Sequence, residues 1–158
     1  IESTCELLRT ERIDETGRLD EEYFKEGFPL TEDEKIRIYQ KDVREIQLAK
    51  SAIRAGMETL IRKYQVSCED IDQMYIAGGF GYKLDIEKAV QIGLLPEECK
   101  EKITAVGNSS LQGAKKSLET DDAKARWESL VRHSEEIELA SSKEFQELYM
   151  EHMLFPEE

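Results

Sequence analysis

Apolar positions in this chain recur with two periods, and the periods mark out its elements. Val43, Ile46, Ile53, Met57, Leu60 and Tyr64 are spaced by threes, fours and sevens, which is one face of a helix. Asp42, with Glu45 three residues on, has the form of a capping box, so the spacing predicts a long helix from 42 to about 64. Lys50 stands where the stripe calls for another apolar residue, and Ala49 and Gly56 beside it leave room for a second element. The interrupted stripe is too short for a coiled coil. Residues 35–39 alternate polar and apolar, as a half-buried strand does. Met74–Ala77 is a short unbroken apolar run and reads as a central strand, and Ile103–Val106 reads as a further strand. Residues 136–139 read as an edge strand.

Helices fill the intervals. Residues 2–9 read as the end of a helix with Leu7 and Leu8 facing inward. Asp85 caps a helix that stops at Gly93, with Pro96 just beyond. Further helices run over 109–118 and onward from Thr120, the latter carrying Trp127 and Leu130. A second capping box, Ser141 to Glu144, opens the last helix, which Pro156 stops. Residues 17–34, with Gly17, Gly27 and Pro29, read as an irregular connection holding at most a short strand. Strands alternating with helices predict an α/β layer structure.

Composition narrows the field. The 158 residues are 39% apolar and 36% charged, enough for one domain with one core. The net charge of −13 is uneven: residues 1–33 and 134–158 each carry −7, and the middle carries +1. Acidic ends argue against DNA or RNA as partner, while the near-neutral middle can accept a small anion such as a nucleotide. There is no apolar run of about eighteen residues, so no membrane-spanning helix is expected. The start, Ile1-Glu2-Ser3-Thr4, has neither an initiator Met nor the zones of a signal peptide and reads as cut from a longer protein. Cys5, Cys68 and Cys99 form no Cys-x-x-Cys pair, so neither a zinc ribbon nor an iron–sulfur site is encoded. They read as buried or idle thiols in a reducing cytoplasm, and His133 and His152 read as surface residues.

Candidate chemistry centres on Gly78-Gly79-x-Gly81, which follows the 74–77 strand at once. Ligands of open α/β sheets sit beyond the carboxyl ends of strands, and glycines let backbone approach a base, ribose or phosphate. The run is neither a P-loop nor a Gly-x-Gly-x-x-Gly fingerprint, and a tight strand–helix turn would use the same residues. Lys50 and Arg54, one helical turn apart, could flank an anion or could cover apolar surface with their stems. Gly107-Asn108 could be a second ligand loop or a helix cap, and Gly113-Ala114 marks close helix packing. No catalytic set and no metal-ligand motif are present in the sequence.

Four strings in one order carry a resemblance: 40–50 (QKDVREIQLAK), 75–81 (YIAGGFG), 92–96 (IGLLP), and 106–108 (VGN) with Gly113-Ala114. From roughly Leu7 to Phe155 the chain resembles the C-terminal ATPase-like domain of the reductive activators of corrinoid proteins, a family also described as ferredoxins or metal-binding proteins. That family belongs to the acetate kinase, sugar kinase, chaperone ATPase and actin superfamily. The resemblance implies an RNase H-like actin-type lobe, a mixed sheet flanked by helices, over 35–158, with 1–34 as the end of a preceding helix and its connection. It implies that Gly78, Gly79 and Gly81 form the adenosine-side turn of a cleft for ATP with magnesium, and by position it points Lys50 and Arg54 at the nucleotide. It also implies a parent protein, active in anaerobic methyl transfer, that drives an electron onto a cobalt(II) corrinoid, with a corrinoid protein or methyltransferase system as partner and a homodimer as its assembly. The phosphate loops and the iron–sulfur cluster would lie elsewhere in that parent, so this chain alone is expected to be inactive. The alternatives are a non-catalytic docking and dimerisation module of the same fold, or a small-molecule kinase lobe.

Overall fold

A computed structural model describes residues 1–79 and 81–156. Six helices are present among them: α1 (Glu2–Arg9), α2 (Gln40–Lys63), α3 (Ile86–Gln91), α4 (Ser109–Glu119), α5 (Ala123–Arg132) and α6 (Lys143–Glu151). The strands are β1 (Phe28–Pro29), β2 (Arg37–Ile38), β3 (Met74–Ala77) and β4 (Ile103–Gly107), and 3-10 turns lie at Cys68–Asp70, Gly81–Lys83 and Glu97–Lys102. The class is α/β as expected, with strands of both senses divided between two pairs. β1 and β2 are antiparallel, and β3 and β4 are parallel with Met74 opposite Ile103.

Several boundaries follow from local chemistry. The expected 35–39 strand shrinks to Arg37–Ile38, because Tyr39 already caps α2: Asp42 Oδ2 accepts the Tyr39 N–H at 2.8 Å. Asp42 is therefore the residue that reaches back, not the cap, and the helix starts two residues earlier than the 42–45 box suggested. The last helix is capped one residue later than expected, by Ser142, whose Oγ accepts from Phe145 N at 3.3 Å. Asp85 caps α3 as expected, accepting from Lys88 N, and Asn108 caps α4 by accepting from Leu111 N at 2.9 Å. Residues 134–139 form no strand; Leu139 packs instead over Gly56, the close approach that glycine allows.

Two expectations about burial fail. Helical spacing predicts a buried apolar stripe on α2, yet Ile53, Leu60 and Tyr64 are exposed, and the buried line runs Val43, Gln47, Lys50, Ser51, Ala55, Gly56, Thr59. The face turned inward meets the carbonyls of the C-terminal segment, so hydrogen bonding rather than hydrophobicity selects it. The apolar run predicts a central strand for β3, but among the described residues its one strand neighbour is β4, and Tyr75 on it is 66% exposed. The core gathers Leu7 of α1, Ile13, Leu19, Val43, Ile92 and Phe155, so residues 1–34 pack into the same cluster as the rest.

The reading of the thiols as buried or idle is corrected for two of the three. Parallel pairing of β3 and β4 sets the turns before each strand side by side, and Cys68 and Cys99 are joined there by a disulfide with Cα atoms 5.5 Å apart. Lys102 Nζ donates to the carbonyls of Cys68 (2.7 Å) and Glu69 (3.0 Å) at the same junction. Cys5 alone is free, and it is buried.

The cross-link spans a sequence separation of 31 residues holding β3, the glycine turn and α3. Closing a loop of that size should stabilise the fold by roughly 3–4 kcal/mol through the unfolded state. A Cys68→Ser, Cys99→Ser protein should unfold at correspondingly lower urea, and reductant should lower the wild type to the same midpoint. Identical midpoints with and without reductant would show that the bond does not hold the fold.

Candidate functional site

The glycine run sits where β3 ends. Gly78 has φ of +102°, a conformation that strains any residue with a Cβ, and its N–H donates to Gly107 O at 2.7 Å. This bond ties the ends of the two parallel strands together, so the Gly78-Gly79 and Gly107-Asn108 turns lie on one side of the sheet. A Cβ placed on Gly78 or on Gly79 would meet nothing within 4 Å. Backbone here borders open space, a surface against which a flat base or ribose can lie. Gly79 also borders a cavity of about 410 Å³ with Ser3, Lys83 and Asp85 on its walls. Gly81 differs: it is buried, and a Cβ on it would collide with the Ile76 side chain. It shapes the turn by packing. Phe80, between these glycines, lies outside the described residues.

Lys50 is not at this turn. It is 2% exposed on α2, where its Nζ donates to His152 O (2.7 Å) and Leu154 O (2.5 Å) and stands 4.9 Å from the centre of the Phe155 ring. Burial, helped by the neighbouring Arg54 charge, pulls its pKa down to about 8. Gln47 Nε2 beside it donates to Thr16 O (2.9 Å) and Met153 O (2.7 Å), and Ser51 Oγ donates to Tyr149 O. The position that broke the apolar stripe is therefore the middle of a polar clamp on the C-terminal segment.

Arg54 opens on a second cavity, of about 550 Å³, which shares no wall residue with the glycine-turn cavity. His152 lines it too, and is not the surface residue expected: its Nε2 lies 2.7 Å from Glu58 Oε2. Burial works to raise the Glu58 pKa, but hydrogen bonds from His152 and Arg62 outweigh it and hold that carboxyl below its ordinary value. His133 is exposed, with Nδ1 2.7 Å from Ser129 O. The five residues singled out in the sequence thus divide three ways: Gly78 and Gly79 at an open turn, Gly81 and Lys50 inside the structure, and Arg54 at a different cavity. Nothing in the sequence marked the clamp or that cavity, since both join segments about a hundred residues apart. The one available signal was a lysine in a stripe of helical spacing.

Among the described residues no group of three or more His, Cys, Asp or Glu side chains could hold a metal ion. An iron–sulfur cluster does not fit either, since two of the three cysteines are bonded to each other and the third is buried. No helix among the described residues is long and apolar enough to cross a membrane.

Residues 1–158 match the family described as the C-terminal domain of RACo, the ASKHA domain. The chain belongs to this family. Among its relatives is the corrinoid activation enzyme RamQ of Eubacterium limosum, 37% identical over 120 residues, which covers 76% of this chain and 20% of that protein. Another is the [Co(II) methylated amine-specific corrinoid protein] reductase of Methanosarcina barkeri, 32% identical over 120 residues, covering 73% of this chain and 22% of that protein. A solved structure of a reductive activator for corrinoid, iron–sulfur protein superposes with a TM-score of 0.85 at 34% identity, over 98% of this chain and 27% of that one. The chain thus spans about a fifth of the length of these curated relatives. The superposition confirms the actin-type fold that the four strings implied.

The buried lysine gives the ASKHA domain a testable pH dependence. Folding lowers the Lys50 pKa from 10.5 to about 8, so between those values the unfolded chain holds more protons and stability rises with pH. Relative to a Lys50→Met protein, the wild type should gain up to about 3 kcal/mol of unfolding free energy between pH 8 and 10.5. Urea denaturation at several pH values reads this out, and parallel curves for the two proteins would refute it.

Proposed function

We propose that this chain is the adenosine-side lobe of an ATP-dependent activator that returns corrinoid proteins from cobalt(II) to cobalt(I). The observation that carries the reading is the conjunction of family and geometry: an ASKHA domain whose Gly78-Gly79 backbone faces open space at the carboxyl ends of parallel strands. The named relatives act in corrinoid activation and corrinoid protein reduction, which supports the substrate class. Reduction of cobalt(II) to cobalt(I) consumes one electron, and the iron–sulfur donor for it belongs to another part of a longer polypeptide. Magnesium ATP supplies free energy by binding one arrangement of the lobes better than another. In this lobe Gly78 and Gly79 let the nucleotide approach the backbone, and Gly107 holds their turn in place. Gly81 supports the turn from inside, and Lys50 stabilises the lobe without touching nucleotide.

A docking and dimerisation role is the second reading. The α4–α5 hairpin favours it, since Leu118, Trp127, Leu130 and Val131 are exposed on it together.

Gly79→Val separates the two. A Cβ at Gly79 meets no atom, so the variant should melt as the wild type does. In the polypeptide that carries this domain, its affinity for magnesium ATP by calorimetry should fall at least about tenfold, a loss of roughly 1.4 kcal/mol. Unchanged affinity would remove the glycine turn from the nucleotide site. Capture of a corrinoid protein that ignores nucleotide in both proteins would favour docking.

A further inference from the structure

The cavity beside Arg54 is a second site, remote from the glycine turn. Glu97 and Glu98 on its wall belong to the turn that enters β4, whereas Gly78-Gly79 follows the exit of β3. The strands are parallel, so entry and exit lie at opposite ends of the pair. The cavity is assembled from α1, α2, α3, that entry turn and the C-terminal segment, held together from behind by the Lys50 clamp. Its volume of about 550 Å³ suits a small organic molecule.

Three features of the wall define what fits. The first is Arg54, whose side chain is 19% exposed and which, among the described residues, has no carboxylate within hydrogen-bond reach: Glu58 Oε2 stands 3.9 Å from Nε, and Glu98 Oε2 4.0 Å from Nη2. Glu58 is already occupied by Arg62 at 2.6 Å and His152 at 2.7 Å and cannot turn to it. A planar fork of donors, half-buried and lacking a close acceptor among the described residues, is matched by a carboxylate, which can accept two parallel bonds from it. The proximity of Lys50, whose ammonium Arg54 disfavours, adds to the pull for an anion there. The second feature is the pair Glu97 and Glu98, with side chains 70% and 68% exposed; their nearest cations stand 3.9 and 4.0 Å away, so they offer acceptors to an ammonium. The third feature is an apolar wall of Leu8, Val90, Leu95 and Pro156 in the same cavity.

We infer that this cavity binds a small zwitterion of the α-amino acid class, its carboxylate on Arg54, its ammonium toward Glu97 and Glu98, and its side chain against the apolar wall. A ligand with one charge would leave the other set unanswered, and a purely apolar one would cover the guanidinium without pairing it. The site is independent of the nucleotide reading, since it shares no residue with the glycine turn.

The test compares three probes of similar shape by NMR titration of the 158-residue protein: leucine (both charges), 4-methylpentanoate (anion only) and isopentylamine (cation only). Leucine should give saturable shifts that include the Arg54 side-chain N–H and the Leu95 methyls. The singly charged probes should bind at least tenfold more weakly. Arg54→Gln should abolish the leucine response, and Glu98→Gln should weaken it several-fold while leaving 4-methylpentanoate unchanged. Amide spectra of both variants establish that each is folded; if Arg54→Gln is not, Arg54→Lys, which keeps the charge and loses the fork, should weaken leucine about tenfold. No saturable shift with leucine, equal binding of all three probes, or leucine binding that survives the change at Arg54 would each overturn the assignment.

Discussion

The structure depends on a row of polar side chains buried where a helix would ordinarily bury apolar ones. Gln47, Lys50 and Ser51 on α2 each donate to a carbonyl of the segment between Tyr149 and Leu154. Irregular backbone inside a protein must have its polar groups answered, and the helix supplies the donors. The segment so held brings Phe155 into the core and His152 and Pro156 to the wall of the large cavity. Gln47 also reaches Thr16 O, so the same row ties down the N-terminal connection. A cation is tolerable in this place because two carbonyls and an aromatic face surround it, and because a neutral amine can still donate when the proton leaves.

The parallel pair β3–β4 organises what the lobe presents. At its entry the Cys68–Cys99 disulfide and Lys102 bind two turns together; at its exit the Gly78–Gly107 hydrogen bond does the same. With both ends tied, the strand pair anchors the start of the Gly78-Gly79 turn. The hairpin of α4 and α5 lies outside this framework. None of its residues is buried, and Trp127 Nε1 donates to Ser117 Oγ at 2.7 Å within the hairpin itself. That surface suits contact with another protein surface better than it suits chemistry.

Much of the fold is legible in the residues because much of it is local. Capping side chains, glycine stops and short apolar runs act within four or five residues, so α1, α3, α4, β3, β4 and the glycine turn stand close to where the sequence puts them. The actin-type fold was legible for another reason: four strings in one order resemble a known family, and the matching family and structure agree. Errors arise where a residue's neighbour is distant in sequence. Periodicity marks a helix, but it cannot tell which face turns inward when the inward surface is backbone carbonyl; hence Ile53 and Leu60 are exposed and Lys50 is buried. The 136–139 segment has alternation without a partner strand, and alternation alone does not make a ladder.

For the site, the sequence by itself determined the glycine turn, since only glycine adopts the Gly78 backbone without strain and the run stands directly after a strand. Tertiary structure decided the rest. It paired Cys68 with Cys99, separated Arg54 from the glycines, spent Lys50 on the C-terminal segment and joined His152 to Glu58. The physical reason is common to all four. A side chain's role is set by what meets it in space, and hydrogen bonds, ion pairs and disulfides form between groups that only the folded chain brings within a few ångströms.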